Sequence, residues 1–105
     1  NKLIRDNIPE IIEQDNHDAV IKKMSVKDFK KELTRKLVEE ATEVSEADNK
    51  EDMIKELGDL QEVLLSLYEA FNVSCSEVNK VRRKRLKKRG GFKKKLLLVS
   101  MTPRK

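Results

Sequence analysis

Four carboxylates, Glu40, Glu43, Glu56 and Asp59, stand where chemistry explains them better than solubility does. Glu39, Glu40 and Glu43 fall in the run Glu39-Glu40-Ala41-Thr42-Glu43, and Glu56 and Asp59 follow in Glu56-Leu57-Gly58-Asp59. Residues at i and i+3 of a helix are surface neighbours, their Cβ atoms roughly 5–6 Å apart. If both runs are helical, Glu40 with Glu43 and Glu56 with Asp59 form two acidic pairs. Clustered carboxylates repel, and a divalent cation is the usual remedy. Donors that are all oxygen favour Mg²⁺, with Mn²⁺ as the alternative, over Zn²⁺ or iron. Helical di-iron sites use Glu-x-x-His pairs, and the sole histidine, His17, lies outside both runs and reads as a loop residue.

The elements that must position these acids are legible from their caps. Ser25, with Asp28 at the third helical position, opens an amphipathic run to about Asp48. Asn49, with Asp52 likewise placed, opens a second run to about Phe71 or Asn72. Ser74 and Glu77 form a Ser-x-x-Glu box for a third, which Gly90-Gly91 closes. A shorter helix fits Asn7 to Gln14, with Pro9 in its first turn. At about 100° per residue, Val26, Phe29, Leu33, Leu37, Ala41, Val44 and Ala47 share one face of the first long helix. Glu40 lies inside that apolar sector, Glu43 on its border, and Glu39 further toward solvent. On the second long helix, Met53, Leu57, Leu60, Val63, Leu64, Leu67 and Phe71 define the face, with Glu56 within it and Asp59 at its edge. A carboxylate on an apolar face is costly unless something compensates it.

The connection at Asp48–Asn49 is so short that the two long helices should form an antiparallel hairpin. The two acidic pairs then face each other, Glu40 and Glu56 each about 12 Å from the turn at 1.5 Å per residue. The expected fold is all-α: this hairpin plus further helices in a four-helix-type bundle, completed by dimerisation. Ile54, Leu65 and Tyr68 widen the second helix's apolar surface to roughly 200°, more than one helix can cover. Two segments, Ala19–Met24 and Lys95–Met101, have the β-branched and apolar content of brief strands.

Composition agrees. The 105 residues suit one domain, and 37% hydrophobic against 41% charged, with three Gly and two Pro, argues against a β-sandwich. A single cysteine, Cys75, excludes an internal disulfide framework and points to a cytoplasmic protein. The longest apolar run, Leu96 to Val99, is too short to span a bilayer, so no membrane role is expected. No signal-type segment opens the sequence; it starts at Asn1 without a methionine, and one or more residues are expected before it. Charge is lopsided: residues 80–105 carry 13 of the 24 basic residues and no acid. Such a segment can be a nucleic-acid tail, or can supply phosphate contacts to an acidic site.

Glu39-Glu40-x-x-Glu43, then twelve residues, then Glu56-x-x-Asp59, resembles the EExxE…ExxD signature of the MazG-like all-α nucleoside triphosphate pyrophosphohydrolases. The opening Asn1-Lys2-Leu3-Ile4-Arg5-Asp6-Asn7-Ile8-Pro9-Glu10 and the run Arg89-Gly90-Gly91-Phe92 resemble the two ends of its phosphoribosyl-ATP pyrophosphohydrolase-like single-domain branch. The resemblance covers nearly the whole chain. It implies one domain over residues 1–105, with an acidic metal site at 39–59 and a basic segment at 80–105. It implies hydrolysis of an NTP-type substrate between its α and β phosphates, giving NMP and pyrophosphate. Glu40, Glu43, Glu56 and Asp59 would hold Mg²⁺, and Glu39 would be the base for the attacking water. Arg82, Arg85, Arg89 and Lys94 would hold the polyphosphate, helped by Lys2 and Arg5. The basic segment carries more Lys and Arg than that branch leads one to expect.

Two other function classes compete. A helical nucleic-acid-binding module would use Lys80–Lys95, but that stretch has one aromatic, Phe92, and lacks stacking platforms for single strands. A catalytically silent dimerisation protein would have no use for the acids, since apolar side chains on those faces would be more stable. The expected partners are therefore a nucleotide and a second copy of the chain, as a dimer or dimer of dimers. Nucleotide-pool cleaning is favoured over histidine biosynthesis, and the base specificity is not encoded in any motif.

Overall fold

The computed structural model describes residues 1–104; Lys105, the last base of the C-terminal segment, lies outside them. Four helices follow one another: α1 (Ile8–Gln14), α2 (Val26–Ser45), α3 (Lys50–Ala70) and α4 (Cys75–Arg89). α2 and α3 form where their caps and periodicity demand, while Asn7 ahead of α1 makes no side-chain cap. Ser25 is extended and its Oγ accepts a hydrogen bond from the Asp28 N–H at 3.2 Å. Asn49 does the same for α3: its Oδ1 accepts from the Asp52 N–H at 2.8 Å, while its Nδ2 donates to Asp52 Oδ2 at 3.1 Å. Asp28 in the first turn of α2, and Glu51 and Asp52 in that of α3, also suit the positive end of the helix dipole.

Two helices stop by a device the sequence reading did not identify. Asn72 takes the left-handed conformation (φ 54°), and the Val73 N–H donates to the Tyr68 carbonyl at 2.8 Å. Asn16 (φ 58°) ends α1 in the same way, with the His17 N–H donating to the Ile12 carbonyl at 3.1 Å. This is the Schellman arrangement with asparagine in the place glycine usually fills. Gly90 (φ 79°) follows the last residue of α4.

α2 and α3 pack against each other. Lys30 Nζ, near the start of α2, lies 5.1 Å from the ring centroid of Phe71, at the end of α3. The helices are therefore antiparallel, as the short connection requires. α2 ends at Ser45, three residues before the expected Asp48, because the Glu46 and Ala47 N–H groups turn back onto the carbonyls of Thr42, Glu43 and Val44.

The hairpin's interior is thin. Among the described residues only Leu33 and Val63 are buried hydrophobics, and the one buried charged side chain is Glu40. Val26, Ala41, Leu57 and Phe71, expected on the inward faces, are exposed. A helical wheel assigns a sector, whereas two helices crossing at one line of contact cover only part of it. The segments Ala19–Met24 and Lys95–Met101 are not strands, and no strand occurs among the described residues. Val20 and Leu96 to Val99 are almost fully exposed, and strand-prone residues with no ladder partner stay irregular.

Contacts group the chain into two compact units, Asn1–Ser74 and the remainder from Cys75. The first holds α1 and the hairpin; the second is α4 with its exposed basic surface. No helix among the described residues is long and apolar enough to cross a membrane.

Replacing the α3 cap tests the hairpin's local logic. Asn49→Ala should cost about 1 kcal/mol and Asn49→Gly only a few tenths, read from thermal melts followed by circular dichroism.

Candidate metal centre

Glu40 projects from the packed side of α2 and is only 6% exposed. Glu43, one turn on, and Glu56 and Asp59 of α3 are half-buried, while Glu39 is exposed. The hairpin brings one carboxylate oxygen each from Glu40, Glu56 and Asp59 within 4.8 Å of one another, and likewise for Glu39, Glu40 and Glu43. Glu40 belongs to both groups and is the hinge of the cluster.

Electrostatics in this cluster is uncompensated on the inside. Glu40 Oε2 and Glu56 Oε2 are buried and have no hydrogen-bond partner. Leaving a buried charged acceptor unsatisfied costs more than the loss of an ordinary hydrogen bond. The consequence is visible in their acidity. Burial raises the Glu40 carboxyl above its ordinary value, and proton sharing with Glu43 and repulsion by that neighbour push the same way; Lys36 opposes them. Glu56 is raised chiefly by proton sharing with Glu43, then by desolvation and by Glu43's charge, against Lys55.

On the outside, two cations border the cluster. Arg5 Nη2 donates to Asp59 Oδ1 at 2.8 Å. Lys36 Nζ lies 3.4 Å from Glu39 Oε1 and 3.6 Å from Glu40 Oε1. Lys36 was absent from the sequence-derived site, although its spacing of three and four residues ahead of Glu39 and Glu40 would have marked it. A shallow cleft of about 160 Å³ adjoins Glu39 and is lined by Lys2, Arg35 and Lys36 among others.

The remaining candidate bases belong to the second unit. Arg82, Arg85 and Arg89 share one face of α4 and are exposed, and Lys94 follows the glycines. Arg82 Nε donates to Asn79 Oδ1 at 3.3 Å.

A family model described as phosphoribosyl-ATP pyrophosphohydrolase matches residues 6–85, a span that contains α1 to α3, all five acids and most of α4. The chain belongs to that family. The matched span includes Arg82 and Arg85; Lys2, Arg5, Arg89 and Lys94 fall outside it. No curated protein and no solved structure gave a significant match. The family is one of hydrolases of pyrophosphate bonds, and its members act with divalent metals. The residues here fit such an ion: every donor is a carboxylate oxygen, and two buried oxygens, one from each helix, lack any partner.

The raised pKa values of Glu40 and Glu56 fix a pH dependence. A carboxyl that binds its proton more tightly when folded stabilises the fold below the ordinary Glu value near 4.5. That contribution is lost as pH rises through the raised values. Metal-free Glu40→Gln and Glu56→Gln should therefore melt at or above the unsubstituted protein at neutral pH, because the new amide can donate to Glu43 and a charge is gone. The difference should close toward about pH 4. Glu62→Gln, on the exposed side of α3, should show no such trend. Melting curves across that range in chelator-treated buffer decide it.

Proposed function

We propose that the chain is a divalent-metal-dependent pyrophosphohydrolase that cleaves a nucleotide between its α and β phosphates, releasing the nucleoside monophosphate and pyrophosphate. The observation that carries this reading is the pair of unpartnered buried oxygens, Glu40 Oε2 and Glu56 Oε2, presented by facing helices. Apolar side chains would pack better at both places, so the acids have a use that outweighs their cost.

Glu40, Glu43, Glu56 and Asp59 would hold Mg²⁺, with Mn²⁺ as a substitute. Such an ion neutralises phosphate charge and lowers the pKa of bound water. Glu39 has the freedom of an exposed side chain and stands beside the cluster, with Oε1 held by Lys36; its second oxygen takes the proton of the attacking water. Water's oxygen forms the new bond to phosphorus as the anhydride bond breaks, and the leaving phosphate oxygen carries the displaced electron pair. Lys2, Arg5, Arg82, Arg85, Arg89 and Lys94 are the proposed phosphate ligands, arginine being suited by its planar donor fork. The whole of residues 1–105 is proposed to act as one functional domain of the cytoplasm. Phosphoribosyl-ATP, in the family's description, is the first substrate to test; other nucleoside triphosphates share the same α–β anhydride.

The test is a panel of phosphoribosyl-ATP and nucleoside triphosphates with Mg²⁺, scored for pyrophosphate against orthophosphate. Pyrophosphate is expected. Orthophosphate alone would exclude α–β cleavage, and tight, salt-sensitive RNA or DNA binding without hydrolysis would favour a nucleic-acid module instead. Glu40→Gln and Glu56→Gln should abolish turnover and reduce the Mg²⁺-induced rise in melting temperature. Glu39→Gln should lower kcat by about 10²–10⁴-fold and leave that rise intact.

A homodimer is part of the same proposal. Ile54, Leu57 and Leu65 are 62%, 47% and 45% exposed on one stripe of α3, at the spacing that a neighbouring helix covers. At Gly58, within that stripe, nothing lies within 4 Å of where a side chain would begin, so another backbone can come close. Light scattering at micromolar concentration should give twice the chain mass, and Leu65→Glu should halve it; a monomeric unsubstituted protein would refute the dimer.

A further inference from the structure

The Arg5–Asp59 ion pair crosses 54 residues of sequence to bind one of the four acids of the proposed metal centre. A guanidinium stays charged at any working pH, so it competes with every other cation for that carboxylate. The inference that follows rests on the metal-centre reading above. We propose that Arg5 is the site's resident counter-ion: it holds Asp59 until a divalent cation displaces it, and the released guanidinium then takes a substrate phosphate.

Three observations support an exchange over a fixed bridge. The pair is accessible, with side-chain exposures of 60% for Arg5 and 35% for Asp59, and exposed pairs are weak enough to be displaced. Arg5 precedes α1 in non-helical backbone, so its side chain can swing without disturbing a helix. Its backbone nevertheless stays in place, because its carbonyl accepts a hydrogen bond from the Ile8 N–H at 3.1 Å. Lys36 differs on the first two counts: it is only 22% exposed and sits within α2.

Charge supplies the direction of the exchange. A divalent ion on the Asp59 carboxylate repels a guanidinium bound to the same group. A polyphosphate arriving with or after the ion offers Arg5 several anionic oxygens, matched to its fork of donors. Asp59 therefore remains paired and correctly placed in the metal-free protein, and Arg5 becomes available only when the centre is loaded.

Mn²⁺ binding, followed by electron paramagnetic resonance without substrate, reads the first half of the exchange. Arg5→Gln and Arg5→Ala should bind Mn²⁺ about two- to fivefold more tightly than the unsubstituted protein, the worth of one exposed pair. Arg5→Lys, which keeps the charge, should stay closer to it. Asp59→Asn should weaken Mn²⁺ binding and erase the effect of Arg5→Gln in the double variant. A merely structural bridge would give the opposite sign, since its loss would loosen the site. The second half appears in kinetics as a KM for nucleotide raised about tenfold or more in Arg5→Gln, with kcat little changed. Unchanged or weaker Mn²⁺ binding in the Arg5 variants overturns the exchange while leaving the metal centre standing; no Mn²⁺ binding by the unsubstituted protein overturns the metal centre itself.

Discussion

Repulsion among carboxylates that the hairpin forces together governs this molecule. Glu40 and Glu56 sit on facing helices, each with a buried oxygen that no group of the protein satisfies. Nothing in helix formation requires this; Leu or Met at either place would add to a core that holds only Leu33 and Val63 as fully buried apolar groups. The caps at Ser25 and Asn49, the antiparallel packing and the Lys30–Phe71 contact hold the two helices against that repulsion. The raised carboxyl pKa values and the two border cations answer to burial and to the same local excess of negative charge.

The two border cations divide the labour. Lys36 belongs to the helix that carries Glu39 and Glu40 and moves only with it. Arg5 comes from outside the hairpin and ties the chain ahead of α1 to the acidic face of α3. Their contacts go to Asp59 Oδ1, Glu39 Oε1 and Glu40 Oε1, and neither cation satisfies Glu40 Oε2 or Glu56 Oε2. A small ion can enter where a side chain cannot.

Much of this was legible in the sequence. Caps, a 3.6-residue period and a short connection specify the hairpin, and the interruption of two apolar faces by acids singles out the cluster. What stayed hidden depends on distance along the chain or on the partner surface. Arg5 meets Asp59 across 54 residues, a contact no local pattern encodes. Ala41 and Leu57 carry the right periodicity, yet a helix's covered sector is set by what lies against it, and here that is one helix. The strand-like stretches failed for a related reason: residue preference acts only when a neighbouring strand exists to pair with. Asn16 and Asn72 stop their helices because asparagine tolerates the left-handed region, a signal weaker in sequence than the Gly90-Gly91 pair.

Register in this site is measured from the caps. α3 is started by Asn49, and Glu56 reaches the packed face because a fixed number of residues separates the two. Removing one residue between them would leave the cap intact and turn every later side chain by about 100°, carrying Glu56 and Asp59 away from Glu40 together. The same loss between Asn16 and Met24, or between Leu96 and Arg104, would turn nothing, because no helix runs through either stretch. Lineages descended from this chain can therefore lengthen or shorten those stretches with little consequence. From Glu39 to Asp59 they can drift in composition only outside the five acids and the Asn49 cap, and not in length.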